Sequence, residues 1–209
     1  MKIKTKILLL FTLCLPAFAS LNVRAQTTDS NPKGAIGITY SGLGVQEPFY
    51  FENLVGTGGY DDKGYYSLGI TYTRPITRRL DLETGISYSR YKYLFSNASA
   101  GPGVVEPFDI TNAIVDIPVT VRWNFLRYLF LNGGMIIGID TGIENNLDSQ
   151  SGIGAMLGIG AKYDFKKTPI GIFVNPYAKA HALIPFSPEK YNERTLENGF
   201  RFGIVYHLR

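Results

Sequence analysis

The chain has 209 residues, enough for one domain, and combines 23 glycines, 14 tyrosines and 13 phenylalanines with only 18% charged residues. This composition is typical of many strands with tight turns and aromatic girdles, and less so of a helical protein. Four of the 21 basic residues lie in the first 25 positions, which contain no acidic residue. Residues 26–209 therefore contain 17 basic and 17 acidic residues, and this balance does not favour a nucleic-acid-binding protein.

Residues 1–25 have the features of a secretory signal peptide. Lys2, Lys4 and Lys6 form a positive start, residues 7–15 an apolar core, and Val23-Arg24-Ala25 a cleavage site before Gln26. The apolar run is shorter than the roughly 20 residues of a membrane-spanning helix. Cys14 lies in this segment without a lipoprotein box before it, so lipid anchoring is only a minor alternative. We predict a signal peptide at 1–25, a short flexible leader at 26–33 and one domain at 34–209.

Beyond the leader, apolar and polar residues alternate with the period of two that is typical of a strand. The pattern is clearest at the end of the chain, where Phe200, Phe202 and Ile204 lie on one face and Arg201 on the other. Eight such strands are predicted, at residues 34–41, 64–73, 80–93, 115–125, 129–139, 152–165, 170–182 and 198–209. Their connections alternate between long and short, which predicts antiparallel hairpins with short periplasmic turns and longer extracellular loops.

Charge placement favours a barrel in a membrane. A Lys or Arg that faces lipid at mid-membrane costs about 2–4 kcal/mol. The strand charges on the polar face are Asp81, Glu83, Asp116, Arg122, Lys162, Asp164, Lys179 and Arg201. The exceptions, Arg90 and Lys92, lie at the outer end of the third strand, where they reach headgroups. We therefore expect an all-β fold, an eight-stranded antiparallel transmembrane β-barrel of the cell outer membrane.

Aromatic residues form two predicted belts, as both membrane interfaces select. The periplasmic belt contains Tyr72, Trp123, Phe125, Tyr163, Phe165 and Tyr206, and the outer belt Tyr40, Tyr66 and Tyr88. Two soluble alternatives stay open at this point. One is a lipocalin-type barrel with an apolar interior, and the other is an exported β-sandwich with these aromatics in its core.

An eight-stranded barrel has a lumen narrow enough for side chains to fill. We predict a pair of Glu83 and Arg122 near the periplasmic end with Lys162 close by, and an upper set of Asp116, Lys179 and Arg201. A structural polar plug is the favoured interpretation of this charge network. The alternative is a narrow transporter or channel for ions or small solutes.

The first long loop, at about residues 42–63, is the candidate binding loop. It contains Phe49, Tyr50, Phe51 and Tyr60, which are suited to gripping a partner protein or to packing over the barrel mouth. Catalysis needs a nucleophile and a base, and the histidines are His181, predicted at the outer rim six residues before Ser187, and His207. The sequence does not define how His181 and Ser187 lie relative to each other, so we expect no enzyme and no cofactor. No Cys, His or acidic cluster has metal-ligand spacing, so we expect no metal site.

Residues 116–123, DIPVTVRW, resemble the "IP-hydrophobic-basic-aromatic" strand of small outer-membrane β-barrel proteins of Bacteroidetes-type bacteria, PorT-like in the broad sense. The end of the signal, with Gln26 first in the mature chain, is similar to theirs. As a pattern the resemblance covers about residues 34–209; it implies the eight-stranded fold and no catalytic residue. Arg209 departs from the terminal aromatic of many barrels, which leaves Tyr206 and Leu208 as the assembly signal.

These observations predict a non-enzymatic, porin-like outer-membrane barrel of a Gram-negative envelope with a plugged lumen. We expect it to act as a structural, surface-binding or complex-accessory component. Its expected partners are outer-membrane lipid and proteins of an outer-membrane complex, and no nucleic acid.

Overall fold

The computed structural model describes residues 34–50, 59–96, 106–142, 149–187 and 193–208. The predicted signal peptide at 1–25 and the leader at 26–33 lie outside these ranges. No helix within them is long and apolar enough to cross a membrane.

Eight strands pair in sequence order and close into one antiparallel barrel, as the alternation predicted. The strands are β1 (Ala35–Tyr50), β2 (Gly59–Pro75), β3 (Leu80–Ser96), β4 (Phe108–Asn124), β5 (Leu129–Asp140), β6 (Gly152–Asp164), β7 (Ile170–Pro185) and β8 (Glu193–His207). β1 pairs with β8 as well as with β2, so the barrel closes without a free sheet edge along its lower half. We call the end with the short connections the lower end, which faces the periplasm in barrels of this kind.

The apolar face of the strands points outward. Ile38 is 69% and Ile204 is 64% exposed, whereas Thr39, between two outward side chains, is 5% exposed. A soluble barrel would bury the apolar face, so the lipocalin-type interpretation and the sandwich are both excluded by this orientation. The outward aromatics Tyr72 and Trp123 near the lower end, and Tyr40 above, border the apolar surface.

The strands are longer at their upper ends than the alternation predicted. β1 continues to Tyr50 and β2 begins at Gly59, so much of the predicted first loop is strand. Register shifts between Gly42 and Val45, and between Asp62 and Tyr65, explain the error. A bulge adds one residue and moves the inward face to the other parity, which interrupts a period-two pattern.

Two other strands differ from their predicted bounds by five residues or more, while β3 and β7 each continue three residues beyond theirs. β4 begins at Phe108, where Val115 was predicted, and β8 runs from Glu193 to His207, where 198–209 was predicted. In β8 the residues Arg194 and Thr195 are both buried, so strict alternation fails there as well. The inward residues are polar in the upper part of β8, whereas in the upper part of β4 the inward Ile110 and Ile114 are apolar and Asp109 is exposed. Neither segment continues the pattern of apolar residues outward and polar residues inward that defines the lower strands.

The hydrogen-bond ladder between β1 and β2 ends above the middle of the barrel. β1 pairs with β2 only as far as Ser41 and Ser67, and then continues with β8 alone. Gln46 spans the resulting gap: its backbone N–H donates to Asp62 Oδ2 at 3.1 Å and its Nε2 donates to the carbonyl of Gly64 at 3.1 Å. Side-chain hydrogen bonds therefore replace the missing backbone ladder at this seam.

Candidate functional site

The lower half of the lumen is organised around one carboxylate. Glu83, on β3, is fully buried and pairs with Arg122 of β4 and with Arg201 of β8, whose Nη1 lies 2.7 Å from Glu83 Oε1. We call Glu83, Arg122 and Arg201 the lower ion cluster. Because it holds two cations and one carboxylate, its formal charge is +1.

Aromatic rings help to accommodate the second guanidinium. Arg122 lies over the ring of Phe130 at 4.5 Å and near that of Phe173 at 5.2 Å, and Arg201 lies 5.3 Å from the Phe173 ring centroid. Phe130 and Phe173 pack edge to face below the cluster together with buried Val205. The negative face of an aromatic ring attracts a desolvated cation, so these rings partly compensate the positive excess.

A second group of charges lies higher in the lumen. Lys179 Nζ, on β7, is 3.0 Å from Asp116 Oδ2 and 2.8 Å from Glu197 Oε2. The His181 ring lies between the same carboxylates, with Nδ1 3.5 Å from Asp116 Oδ1 and Nε2 3.5 Å from Glu197 Oε2. We call Asp116, Lys179, His181 and Glu197 the upper ion cluster. All four side chains are buried.

Tyrosine hydroxyls complete the upper ion cluster. Tyr91 and Tyr177 both donate hydrogen bonds to Glu197, one to each carboxylate oxygen. The Tyr91 hydroxyl also lies 3.0 Å from His181 Nε2, and Tyr65 bonds to Tyr177 at 3.1 Å between hydroxyl oxygens. A buried carboxylate needs such partners, and here they come from strands on opposite sides of the barrel.

Above the upper ion cluster the lumen is closed by a further layer of large side chains. Tyr93, Ile110, Gln150 and Arg194 are each at most 3% exposed. Gln150 Oε1 accepts a hydrogen bond from the Thr195 backbone N–H at 2.9 Å. These four side chains therefore form a buried layer above the upper ion cluster.

Two cavities lined by both polar and apolar side chains remain along the axis. One, of about 40 Å³, lies between the ion clusters and is lined by Lys179, Arg201 and hydroxyls of β1–β3. The other, of about 150 Å³, is a vestibule at the lower end, lined by Arg122, Lys162 and the Asp164–His207 pair, among others. Glu83 and Arg122 meet between these levels, so the lower ion cluster divides the lumen.

The structure brings five of the six predicted lumen charges into the two ion clusters. Arg201 was predicted beside Asp116 and Lys179 and instead lies with Glu83 and Arg122. Lys162 is half-buried in the vestibule wall and contacts neither cluster through an ion pair among the described residues.

His181 and Glu197 correct the predictions most. His181 was predicted as a solvated rim residue and is completely buried, while Ser187 is exposed. Glu197 was predicted in the last loop and lies in β8 at the centre of the upper ion cluster. A signal was available: Glu197 has the same parity as Arg201, so extending the last strand by one residue places its side chain inward.

Three of the four residues of the candidate binding loop, Phe49, Tyr50 and Tyr60, lie at the upper ends of β1 and β2. Phe49 is half-buried in β1, and Tyr50 and Tyr60 are strand residues whose side chains, like all of Phe51, lie outside the described part of the chain. No group of three metal-ligating His, Cys, Asp or Glu side chains is present in the ranges that the structure describes.

Comparisons with known proteins agree with this architecture. The model of the outer membrane protein beta-barrel domain family matches residues 21–189, more than half of the chain. No curated protein matches significantly. Among solved structures, the outer membrane protein AlkL, determined in DMPC lipid bilayers, is 11% identical over 90% of this chain and 96% of its own, with a TM-score of 0.50.

Two further structures resemble the chain more loosely. OprG, an outer membrane protein from Pseudomonas aeruginosa, is 10% identical over 86% of this chain and 97% of its own, with a TM-score of 0.46. The translocator domain of the autotransporter NalP from Neisseria meningitidis is 10% identical over 94% and 95%, with a TM-score of 0.36.

A closed eight-stranded barrel with an apolar exterior and charged side chains buried inside is the architecture of a small integral outer-membrane protein. The chain belongs to the outer membrane protein beta-barrel domain family. Its predicted location in the cell outer membrane is confirmed by this membership.

Proposed function

We propose that the protein is a non-enzymatic outer-membrane barrel with a closed lumen, acting as a structural, surface-binding or complex-accessory component. One observation carries this proposal: buried side chains occupy the lumen in successive layers, including the two ion clusters. Charges held in pairs and by tyrosine hydroxyls make a rigid plug, whereas a transport route needs groups that bind weakly enough to release.

The upper rim is the surface that this proposal assigns to partners. The upper parts of β1, β2 and β8 extend beyond the outward ring of Tyr40 and Tyr66, so they project from the membrane. Phe49, Tyr50, Phe51 and Tyr60 cluster in sequence at that end and form the proposed protein-binding segment. Loops on a rigid scaffold are the usual place for binding.

The finer assignment of the chain to PorT-like barrels of Bacteroidetes-type bacteria is part of this proposal. It rests on residues 116–123 and on the signal that ends at Ala25. N-terminal sequencing of the protein from outer membranes should give Gln26 as the first residue. A start elsewhere would contradict both the cleavage site and the 26–33 leader.

The accessory role is tested by extracting native membranes with mild detergent, using a tag just after Gln26. A large particle with defined partner subunits is expected, and it should break up when Phe49 and Tyr60 are both replaced by serine. Replacing the outward Tyr88 by serine is the control, because this residue lies on the barrel wall. A particle no larger than the chain and its micelle would contradict the accessory role.

A narrow channel is the second candidate, favoured by the two cavities that lie on either side of the lower ion cluster and that charged side chains help to line. In this function Glu83 would be the gate between the vestibule and the middle cavity, and ions or small solutes the cargo. The two candidates differ in whether the wild-type barrel conducts.

A further inference from the structure

The two ends of the barrel differ in charge. The three short connections, residues 76–79, 125–128 and 165–169, contain five basic residues and no acidic one. The four long connections, residues 51–58, 97–107, 141–151 and 186–192, contain five acidic residues and one basic residue. The lower end is therefore a concentrated positive surface on a chain that is close to neutral beyond its first 25 residues.

Most of this positive charge surrounds one recess. Between the first two short turns lies an open recess of about 660 Å³. Arg78, Arg79, Arg127 and Lys162 all line it, together with one carboxylate, Asp81. Four cations and one acid give the lining a formal charge of +3.

The backbone holds the two turns together at the recess. The Asn124 N–H donates to the carbonyl of Arg79 at 2.7 Å, which ties the first turn to the end of β4. Thr77 Oγ1 accepts from the backbone N–H groups of Arg79 and Leu80 at 3.2 and 3.0 Å. These hydrogen bonds fix the backbone from which the side chains of Arg78 and Arg79 extend into the recess.

The cations of the recess are not held in ion pairs within the described part of the chain. None of the four forms an ion pair there, and Asp81 accepts a hydrogen bond from Asn124 Nδ2 at 2.7 Å. Like charges around one concavity repel each other, and the positive potential in such a cleft concentrates anions. The expected ligand is therefore anionic.

Aromatic and apolar side chains border the same recess. Phe125 and Leu126 line it, Trp123 packs against Phe125 with 5.6 Å between ring centroids, and Arg127 lies 5.2 Å over the Tyr128 ring. Leu126 is 59% exposed. Aromatic belts of this kind lie at headgroup level, so a ligand in the recess has lipid chains beside it.

We propose that this recess binds the phosphate headgroup of an anionic phospholipid in the inner leaflet of the outer membrane. The arginines and Lys162 would contact the phosphate, with arginine suited to bidentate contact with its oxygens. Phe125 and Leu126 would contact the first part of the acyl chains. A free phosphate would use the cations but not these apolar walls.

The test compares two matched double variants. Arg79→Gln with Arg127→Gln removes two charges from the recess, and Lys166→Gln with Lys167→Gln removes two from the third turn, which does not line it. The protein is purified from outer membranes, checked by heat-modifiable migration, exchanged into mixed phosphatidylglycerol–phosphatidylcholine nanodiscs, and examined for retained lipid by native mass spectrometry.

Wild type and the third-turn variant should retain phosphatidylglycerol in preference to phosphatidylcholine. The recess variant should retain about thirtyfold less, because each of the two cations that it loses contributes about 1 kcal/mol of attraction to anionic lipid. An equal loss of retained phosphatidylglycerol in both variants would show that the lipid is attracted by the whole charged rim and not by the recess, which would overturn the proposal. No preference in wild type, or displacement of the lipid by millimolar inorganic phosphate, would overturn it as well.

If the recess variant does not fold, Arg127→Gln alone serves the same purpose. Arg127 is an exposed turn residue, so its loss leaves the barrel intact. Unchanged retention of phosphatidylglycerol in this variant would count against the proposal, and reduced retention would support it.

Discussion

Glu83 is the residue on which the lower half of the lumen depends. It is the only carboxylate in contact with two buried guanidinium groups, those of Arg122 and Arg201, among the described residues. Breaking a buried pair by removing one partner leaves an uncompensated charge. Removal of the Glu83 carboxylate would leave two uncompensated charges, those of Arg122 and Arg201.

Glu83→Gln should therefore destabilise the barrel by about 3–5 kcal/mol, the range measured for broken buried pairs. The measurement is the free energy of unfolding in urea after reconstitution into vesicles. Asp81→Asn is the matched control, since Asp81 lies on the same strand but is only half-buried. Equal losses in the two variants would show that Glu83 is not the centre of the cluster.

The charged residues show what a sequence pattern can predict at this scale. Parity along a strand correctly put Glu83, Asp116, Arg122, Lys179 and Arg201 on the inward face. The predicted partners of Arg201, Asp116 and Lys179, were wrong, because the level at which side chains meet across the lumen depends on the shear of the barrel. No short stretch of sequence contains that quantity.

At the level of the strands, the seam between β1 and β8 needs glycine at one position. A Cβ on Gly44 would lie 1.8 Å from the carbonyl oxygen of Asn198, whereas a Cβ on Gly59 would have Ser96 Oγ at 3.6 Å as its nearest neighbour. The first contact is with backbone and cannot be relieved by a rotamer change. β1 and β8 are thus in close contact at the bulge of β1 itself, between Gly42 and Val45.

Gly44→Ala should reduce the fraction of chains that reach the folded, heat-modifiable form, because β1 and β8 must separate to admit the methyl group. The yield on unheated denaturing gels after refolding into detergent is the readout. Gly59→Ala, with room for its methyl group, should fold like wild type. A normal yield for Gly44→Ala would mean that the seam is looser than the structure shows.

The bulges also explain which parts of the elements were predictable. Below the bulges the alternation is regular. At the lower end of the barrel, the residues at which most strands begin or end agree with the prediction to within a residue or two. Above the bulges the inward face changes parity, as Gln46 shows by being buried at an even position beyond the odd Thr39 and Ser41. A search for uninterrupted alternation stops at such a bulge, which is why β1 and β2 were predicted too short.

For the whole molecule, the decisive property is an apolar exterior. Alternation defines two faces but does not say which one is outside, so the sequence left a soluble barrel open. The closed structure answers this, because the narrow lumen has room for the polar set and the exterior carries the isoleucines and aromatics.

Ile204→Lys should cost about 2–4 kcal/mol of folding free energy in phospholipid vesicles, since the side chain faces lipid between the aromatic belts. Leu43→Lys is the control, because Leu43 is 75% exposed above the outer belt, where the cost falls to about 0–1 kcal/mol. Similar stabilities of the two variants would contradict a lipid-facing position for Ile204.

The most direct measurement is the conductance of the purified wild-type barrel in a planar lipid bilayer. On the proposal that the two ion clusters and the upper layer of buried side chains close the lumen, we predict no discrete conductance steps above the bare bilayer. Stepwise conductance of the wild type that is lost in Glu83→Ala would contradict the closed lumen and establish the narrow channel in its place.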